Sequence, residues 1–487
     1  MAYEVMFRFN FSLKKHWPKL AWVCVFSLEN DSAEILHGPM LEVSPDWAVE
    51  AVWEGVFEKG DFDKTDLVFG SGIRKRDNQI IFVSSATGID RLWHTQCNAM
   101  VYVSNSLPAI LGVSGLALLE KYRSYARDIA SIENNGLYSY VKSIPTNGSD
   151  LNIVYYNNIV WNGESLQEIA KPDKTPQFSD YRSYENYLKK ASGSLGGNAQ
   201  SSSRRFPVRL LVGLSTGYDS VACAVVAKYA GCKDAVSIID STSLWRGADS
   251  GAQIASCLAL ACKCYRHDPL HYKSEVAVWA GSGNPGGRNL SLFEYFEPLT
   301  FFFSGGYGDT VWERKQQGLD EPVGDYDELV SEFRLIQGIF MTQVPWWGIR
   351  HAAEIQKLNL LEEMKPWTLG TNYDRPIARR LAEEAGVPRS LFGINKKNTA
   401  SNRPFWWPST AEADRDLRAY LSSLGIKPMP GFMVWLSSVF YNFVKLVNAN
   451  VLFFVDERKK WKPWLKSPVR HLLFIWANHS LRDKYYR

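Results

Sequence analysis

The stretch PVRLLVGLSTGYDSVACAVVAKYAG (207–231) constrains the architecture of this chain most. A strand-length apolar run, PVRLLVGL, stops at a turn of small residues and passes at once into SVACAVVAKYAG, a helical run closed by Gly231. AVSIID and SGAQIASCLALACK repeat the alternation. PLTFFFSGG supplies another strand, and RPIARRLAEEAGV reads as a helix ending at Gly386. A strand–turn–helix series of this kind predicts a parallel α/β sheet.

The preceding residues follow a different pattern. VMFRFNF, LAWVCVFSL, QIIFVSS, MVYVSNS and LNIVYYNNIVW are short alternating runs separated by turn residues, which predicts a β-rich unit over roughly residues 1–175. ASGSLGGNAQSSS (191–203) is small and polar and reads as a linker or mobile loop. The main boundary therefore falls between 165 and 205, with the α/β unit over 205–425 and an aromatic, basic helical extension over 426–487. A chain of 487 residues has room for such a division.

With a net charge of +4, wholesale nucleic-acid binding is not expected. Seven scattered cysteines suggest reduced thiols in a cytoplasmic protein rather than a disulfide framework. The N-terminal run MAYEVMFRFNF alternates like a strand and does not read as a signal peptide. FMVWLSSVFYNFVKLVNANVLFFV (432–455) is interrupted by Asn442, Lys445, Asn448 and Asn450, so it reads as a buried or interfacial helix rather than a span.

In a parallel sheet, ligands bind beyond the carboxyl ends of the strands. Leu214, Ser215, Thr216, Gly217, Tyr218, Asp219 and Ser220 lie at such an end, where hydroxyls and backbone N–H groups at a helix start can cradle a phosphate. Asp219 would be repelled by a bare phosphate, so a divalent cation is expected between them. The alternative is an ordinary helix cap made by Ser215 or Asp219. FFFSGGYGDTVWE (301–313) is a second such end, with Ser304, Gly305 and Gly306 before a second acid, Asp309. Two strand-end carboxylates, Asp219 and Asp309, would share one magnesium pyrophosphate. Two other patterns carry less. GSGNPG (281–286) reads as a loop despite matching G-x-G-x-x-G, and Cys262, Cys264, His267 and His271 lack zinc spacing.

STGYDS resembles the SGGxDS pyrophosphate loop of the asparagine synthetase superfamily, with Thr216 in place of a glycine. SGGYGD resembles that superfamily's second signature, SGxGSD, without its second Ser. IIFVSSATGIDRLWH and MVYVSNSLPAIL (80–111) resemble a segment of the class II glutamine amidotransferase domain. The resemblance implies an Ntn-type αββα amidotransferase-like domain followed by a pyrophosphatase-type, adenine nucleotide alpha hydrolase-like synthetase domain. The family's glutaminase nucleophile is a cysteine after the initiator Met. Here that residue is Ala2, and the nearest cysteine, Cys24, lies in an apolar run. The same loss is a property of β-lactam synthetases and lasso-peptide cyclases, whose nucleophile is an amine of the substrate.

What the resemblance implies is an ATP- and Mg2+-dependent amide ligase that adenylates a small-molecule or peptide carboxylate and joins it to an amine. Tyr307 with Glu363 of EMKPW would be the amine's base, and Lys397 of INKKNTA would stabilise charge. Amidation with ammonia and a non-catalytic nucleotide-binding scaffold subunit remain alternatives. ERKKWKPWLKSPVR (457–470) interleaves cations with Trp461 and Trp464. It reads either as recognition of an acidic substrate part, a biosynthetic partner protein or a membrane surface, or as a solvated basic helix with its tryptophans in the core.

Overall fold

The structure, a computed structural model, describes residues 7–28, 32–240, 248–284, 286–314, 329–371, 373–394, 406–450, 467 and 469–486. It is a mixed α/β protein, with three sheets among the described residues, one of them wholly parallel.

The alternating runs of the first part form a seven-stranded and a six-stranded sheet. They face each other across a core of Trp22, Cys24, Phe26 and Ile35 from one sheet and Ile73, Phe82, Ile159 and Trp161 from the other. Phe26 packs on Phe82 and Trp161 with ring centroids 6.4 and 5.2 Å apart. Period-two alternation is what places these side chains on the shared face.

The second part contains the five-stranded parallel sheet. Its strands lie in the order Ala261–Tyr265, Asp234–Ile238, Val208–Gly213, Leu299–Ser304, Ile339–Gln343. The apolar runs form the central strands because both faces are covered, here by helices such as Tyr218–Tyr229.

Residues 191–199 of the small-residue stretch expected to be a linker form instead the C-terminal half of a 19-residue helix, Tyr181–Ala199. Its small side chains serve close packing. The Ser192 hydroxyl donates to the Val226 carbonyl at 2.6 Å, and a Cβ on Gly196 would lie 2.2 Å from the Ala230 carbonyl oxygen. Mobility and tight helix contact favour the same residues, and only the fold separates them.

Buried ion pairs join the two parts. Arg334, on the helix Ser331–Gln337, donates to Glu50 at 2.8 and 3.1 Å and to Asp90 at 2.7 Å. The last helix, Leu473–Tyr486, is core: Phe474, Trp476 and Leu481 are buried, and the Tyr485 hydroxyl lies 3.1 Å from that of Ser106. Trp461 and Trp464 lie outside the described residues. Among the described residues no helix is long and apolar enough to cross a membrane.

Candidate functional site

From the neighbouring strands Val208–Gly213 and Leu299–Ser304 the chain winds outward in opposite directions across the sheet. Such a reversal leaves a crevice beyond the carboxyl ends of the two strands. Both small-residue loops open there, so residues far apart in sequence become neighbours.

The first loop is a self-bonded turn. The Ser215 and Ser220 hydroxyls are 2.8 Å apart, the Ser215 N–H donates to Ser220 Oγ at 3.2 Å, and the Gly217 N–H donates to Ser215 Oγ at 3.2 Å. Gly217 is the N-cap of the helix Tyr218–Tyr229, which puts Asp219 in the first turn. Thr216 donates from both its backbone N–H, at 3.1 Å, and its hydroxyl, at 2.6 Å, to Oδ1 of Asp249. A carboxylate of the chain therefore already uses anion-binding groups of this turn.

The second loop touches the first through glycine. A Cβ on Gly305 would lie 2.7 Å from the backbone between Asp219 and Ser220, and one on Gly308 would lie 2.1 Å from Asp219 Cγ. No side chain fits at either position. The Gly306 N–H donates to Ser304 Oγ at 3.1 Å, which fixes the start of the turn. Tyr307 follows with φ of 67°, unusual for a bulky residue, its ring packed against Trp346 at 4.5 Å. Asp309 lies in the first turn of the short helix Gly308–Val311 and is exposed.

Asp219 has a cation beside it that the sequence did not disclose. Nε of Arg375 lies 3.0 and 3.3 Å from its two oxygens, and the same guanidinium pairs with Glu313. Burial works against the Arg375 charge, but Asp219 and Glu313 outweigh it and hold its pKa above the ordinary value. Tyr373 packs on Tyr218 at 4.9 Å, its hydroxyl 3.8 Å from where a Gly217 Cβ would be. Burial, and then the Asp219 charge, push its phenol well up. Beside these rings lies a cleft of about 500 Å³ whose walls include Tyr218, Tyr373, Phe392, Arg379 and Arg389.

Ser215, Thr216, Gly217, Asp219, Ser220, Gly305 and Gly308 are thus brought together, with Tyr307 on the adjoining turn. The expected partnership of Tyr307 with Glu363 is not formed. The Glu363 oxygens accept from the Tyr181 N–H at 2.9 Å and from Arg380 Nη1 at 2.8 Å. Glu363 thereby satisfies an otherwise partnerless N–H at the start of the helix Tyr181–Ala199. Lys397, with Lys396 and Asn395, lies outside the described residues, as does Ala2. Cys24 is fully buried on the strand Trp22–Ser27, and burial pushes its thiol far up, which makes it a structural rather than a nucleophilic cysteine.

The turn chemistry fits phosphate oxygens, given two hydroxyls, a glycine that permits close approach and a helix N-terminus. For magnesium the fit is narrower. Among the described residues no three His, Cys, Asp or Glu side chains converge. One or two carboxylates plus phosphate oxygens nevertheless suffice for this ion, so Asp219 and Asp309 would serve only together with a bound phosphate. Sequence reasoning missed Asp249, Glu313, Tyr373 and Arg375. The only local hint was Arg375-Pro376 at a helix start, which reads as a helix signal and not as a site.

Compared with protein-family models and with curated proteins, the chain matches none.

Proposed function

We propose that the chain is an ATP-dependent, AMP- and pyrophosphate-forming amide ligase of asparagine-synthetase type, with an N-terminal amidotransferase-like domain that lacks its nucleophile. The observation that carries the proposal is the meeting of STGYDS and SGGYGD at adjacent carboxyl ends of parallel strands, in contact through Gly305 and Gly308.

Ser215, Gly217 and Ser220 would hold the departing pyrophosphate through hydroxyl and backbone N–H donors. Asp219 and Asp309 would hold magnesium, which neutralises phosphate charge when bound. Oxygen of the substrate carboxylate attacks the α-phosphorus, the bond to the β-phosphate oxygen breaks, and pyrophosphate leaves. The nitrogen of an amine then attacks the acyl carbon, AMP leaves, and the amine gives up a proton. Tyr307, as its phenolate, is the candidate acceptor of that proton on the second loop. With Glu363 committed to Tyr181 and Arg380, its phenol would have to work without that carboxylate. The amine is either part of the substrate or ammonia from elsewhere, and the protein would act in the cytoplasm. The aromatic and arginine-lined cleft beside Tyr218 suits an acidic or aromatic part of the substrate.

Two contacts favour a second reading, a nucleotide-binding scaffold without catalysis. Arg375 already pairs with Asp219, and Asp249 already occupies Thr216. ATP–pyrophosphate exchange across a panel of carboxylates and peptides separates the two. Exchange supported by any of them establishes adenylation, whereas nucleotide binding with no exchange on the whole panel leaves the scaffold.

A further inference from the structure

The cleft beside Tyr218 is aromatic and cationic at once. Its volume of about 500 Å³ is that of a site for a small organic molecule. The buried side chains Tyr218, Phe392 and Arg379 make its floor. The Phe392 ring meets Tyr218 edge-on at 5.8 Å, and Tyr373 lies 4.9 Å from the same ring. Leu369 and Ile394, 46% and 67% exposed, stand at the rim, where an apolar occupant would cover them. The Gly393 N–H donates to the Thr216 carbonyl at 2.8 Å, so the cleft and the STGYDS turn share a wall.

We infer that this cleft binds an aromatic carboxylic acid, its ring against the aromatic floor and its carboxylate on Arg379 and Arg389. One acid, Glu383, serves both guanidiniums: Nε of Arg379 donates to its Oε1 at 2.8 Å, and Nε of Arg389 donates to the same oxygen at 2.7 Å. Nη1 of Arg379 is buried and has no partner. Buried donors are nearly always paired, so this one calls for an acceptor that the chain does not supply. Both charged residues lining the cleft are arginines, which excludes a cationic occupant. Three rings and two aliphatic side chains give inorganic phosphate nothing to lie on, whereas a flat ring stacks or packs edge-on there. In the ligase reading such a group would be the recognised part of the substrate and not the carboxylate that reacts. The binding itself does not depend on that reading.

The test uses the full chain without ATP and titrates three probes by calorimetry. 2-Naphthoate carries ring and charge, 2-naphthamide the ring alone, and inorganic phosphate the charge alone. Naphthoate should bind, and each of the other two should bind at least about tenfold more weakly, the worth of one hydrogen bond to a charged group. Arg389→Gln should weaken naphthoate by a similar factor. It should barely move the unfolding temperature, because the pair that Arg389 makes with Glu383 is half exposed on the arginine side. Ile394→Asp alters an exposed rim position, leaves the fold intact and should weaken naphthoate several-fold by charge repulsion. No binding of naphthoate, equal binding of naphthamide, or unchanged affinity in both variants overturns the inference. Phosphate that displaces naphthoate at equal concentration would overturn it too, and would assign the cleft to nucleotide phosphates. Because ATP is left out, failure here does not touch the exchange test, and failure of exchange does not touch this binding.

Discussion

Gly308→Ala puts one methyl group where the two loops meet. The Gly308 backbone is not in the left-handed region, so alanine costs nothing there conformationally. The effect is therefore steric alone. The new Cβ would sit 2.1 Å from Asp219 Cγ and 2.4 Å from its Oδ1, against an ordinary carbon–carbon contact of roughly 3.5–4 Å. The gap of over an ångström has to be made up by Asp219 swinging away or by the loops parting. Overpacking of this kind costs about 1–3 kcal/mol. If Asp219 moves it also loses Arg375, whose guanidinium is buried, which takes the expected loss to the upper part of that range. Gly197→Ala is the control: that glycine is helical, exposed and has nothing within 4 Å, so alanine should stabilise by about 0.5–1 kcal/mol. Thermal unfolding of the two variants beside the parent should move in opposite directions, and calorimetry should show weaker nucleotide binding for Gly308→Ala only. If Gly308→Ala melts with the parent and binds nucleotide equally well, the loops do not touch as described.

Other outcomes follow from individual side chains. Glu363→Gln should lower stability by about 1 kcal/mol and leave any amide-forming step intact, because that carboxylate serves Tyr181 and Arg380. Burial opposes the Glu363 charge, but those two partners hold its pKa below the usual value, so its contribution is fully present above the ordinary carboxylate value and lost as pH falls through the lowered one; a loss of product at unchanged stability would restore it as a base. Glu332, which accepts from Ser106 and from the Leu107 N–H, is pushed up from 4.5 to about 7 by burial. A raised acid stabilises below its unfolded pKa and loses that contribution as pH rises through the folded one, so unfolding temperature should fall between about pH 4.5 and 7, and Glu332→Gln should flatten that slope. An unaltered slope in the variant would place the titration elsewhere. The purified protein should release no glutamate from glutamine, given Ala2 and a buried Cys24; release above a buffer blank would contradict this.

The parallel sheet was legible because strand and helix have different hydrophobic periods, and PVRLLVGL followed by SVACAVVAKYAG switches from one to the other within a single turn. The two loops were legible as well, since small residues and one acid directly after an apolar strand have few uses. ASGSLGGNAQ was misread because a helix that packs closely needs the same small residues as a linker. Arg375, Glu313 and Asp249 could not be read at all. Each is an unremarkable polar residue in sequence and becomes part of the site only when three loops fold over one sheet edge. Glu363 shows the converse: a motif-like position whose carboxylate the fold uses to start a helix.

The central claim is that STGYDS and SGGYGD hold the phosphates of a nucleotide with a divalent ion. Titration calorimetry of ATP into the parent chain and Asp219→Asn, with and without magnesium, tests it most directly. Magnesium-dependent binding by the parent that Asp219→Asn loses, with an unchanged unfolding profile, is the predicted result. Equal affinity in both proteins, or none in the parent, would reduce the loop to a helix cap closed by Ser215, Asp249 and Arg375.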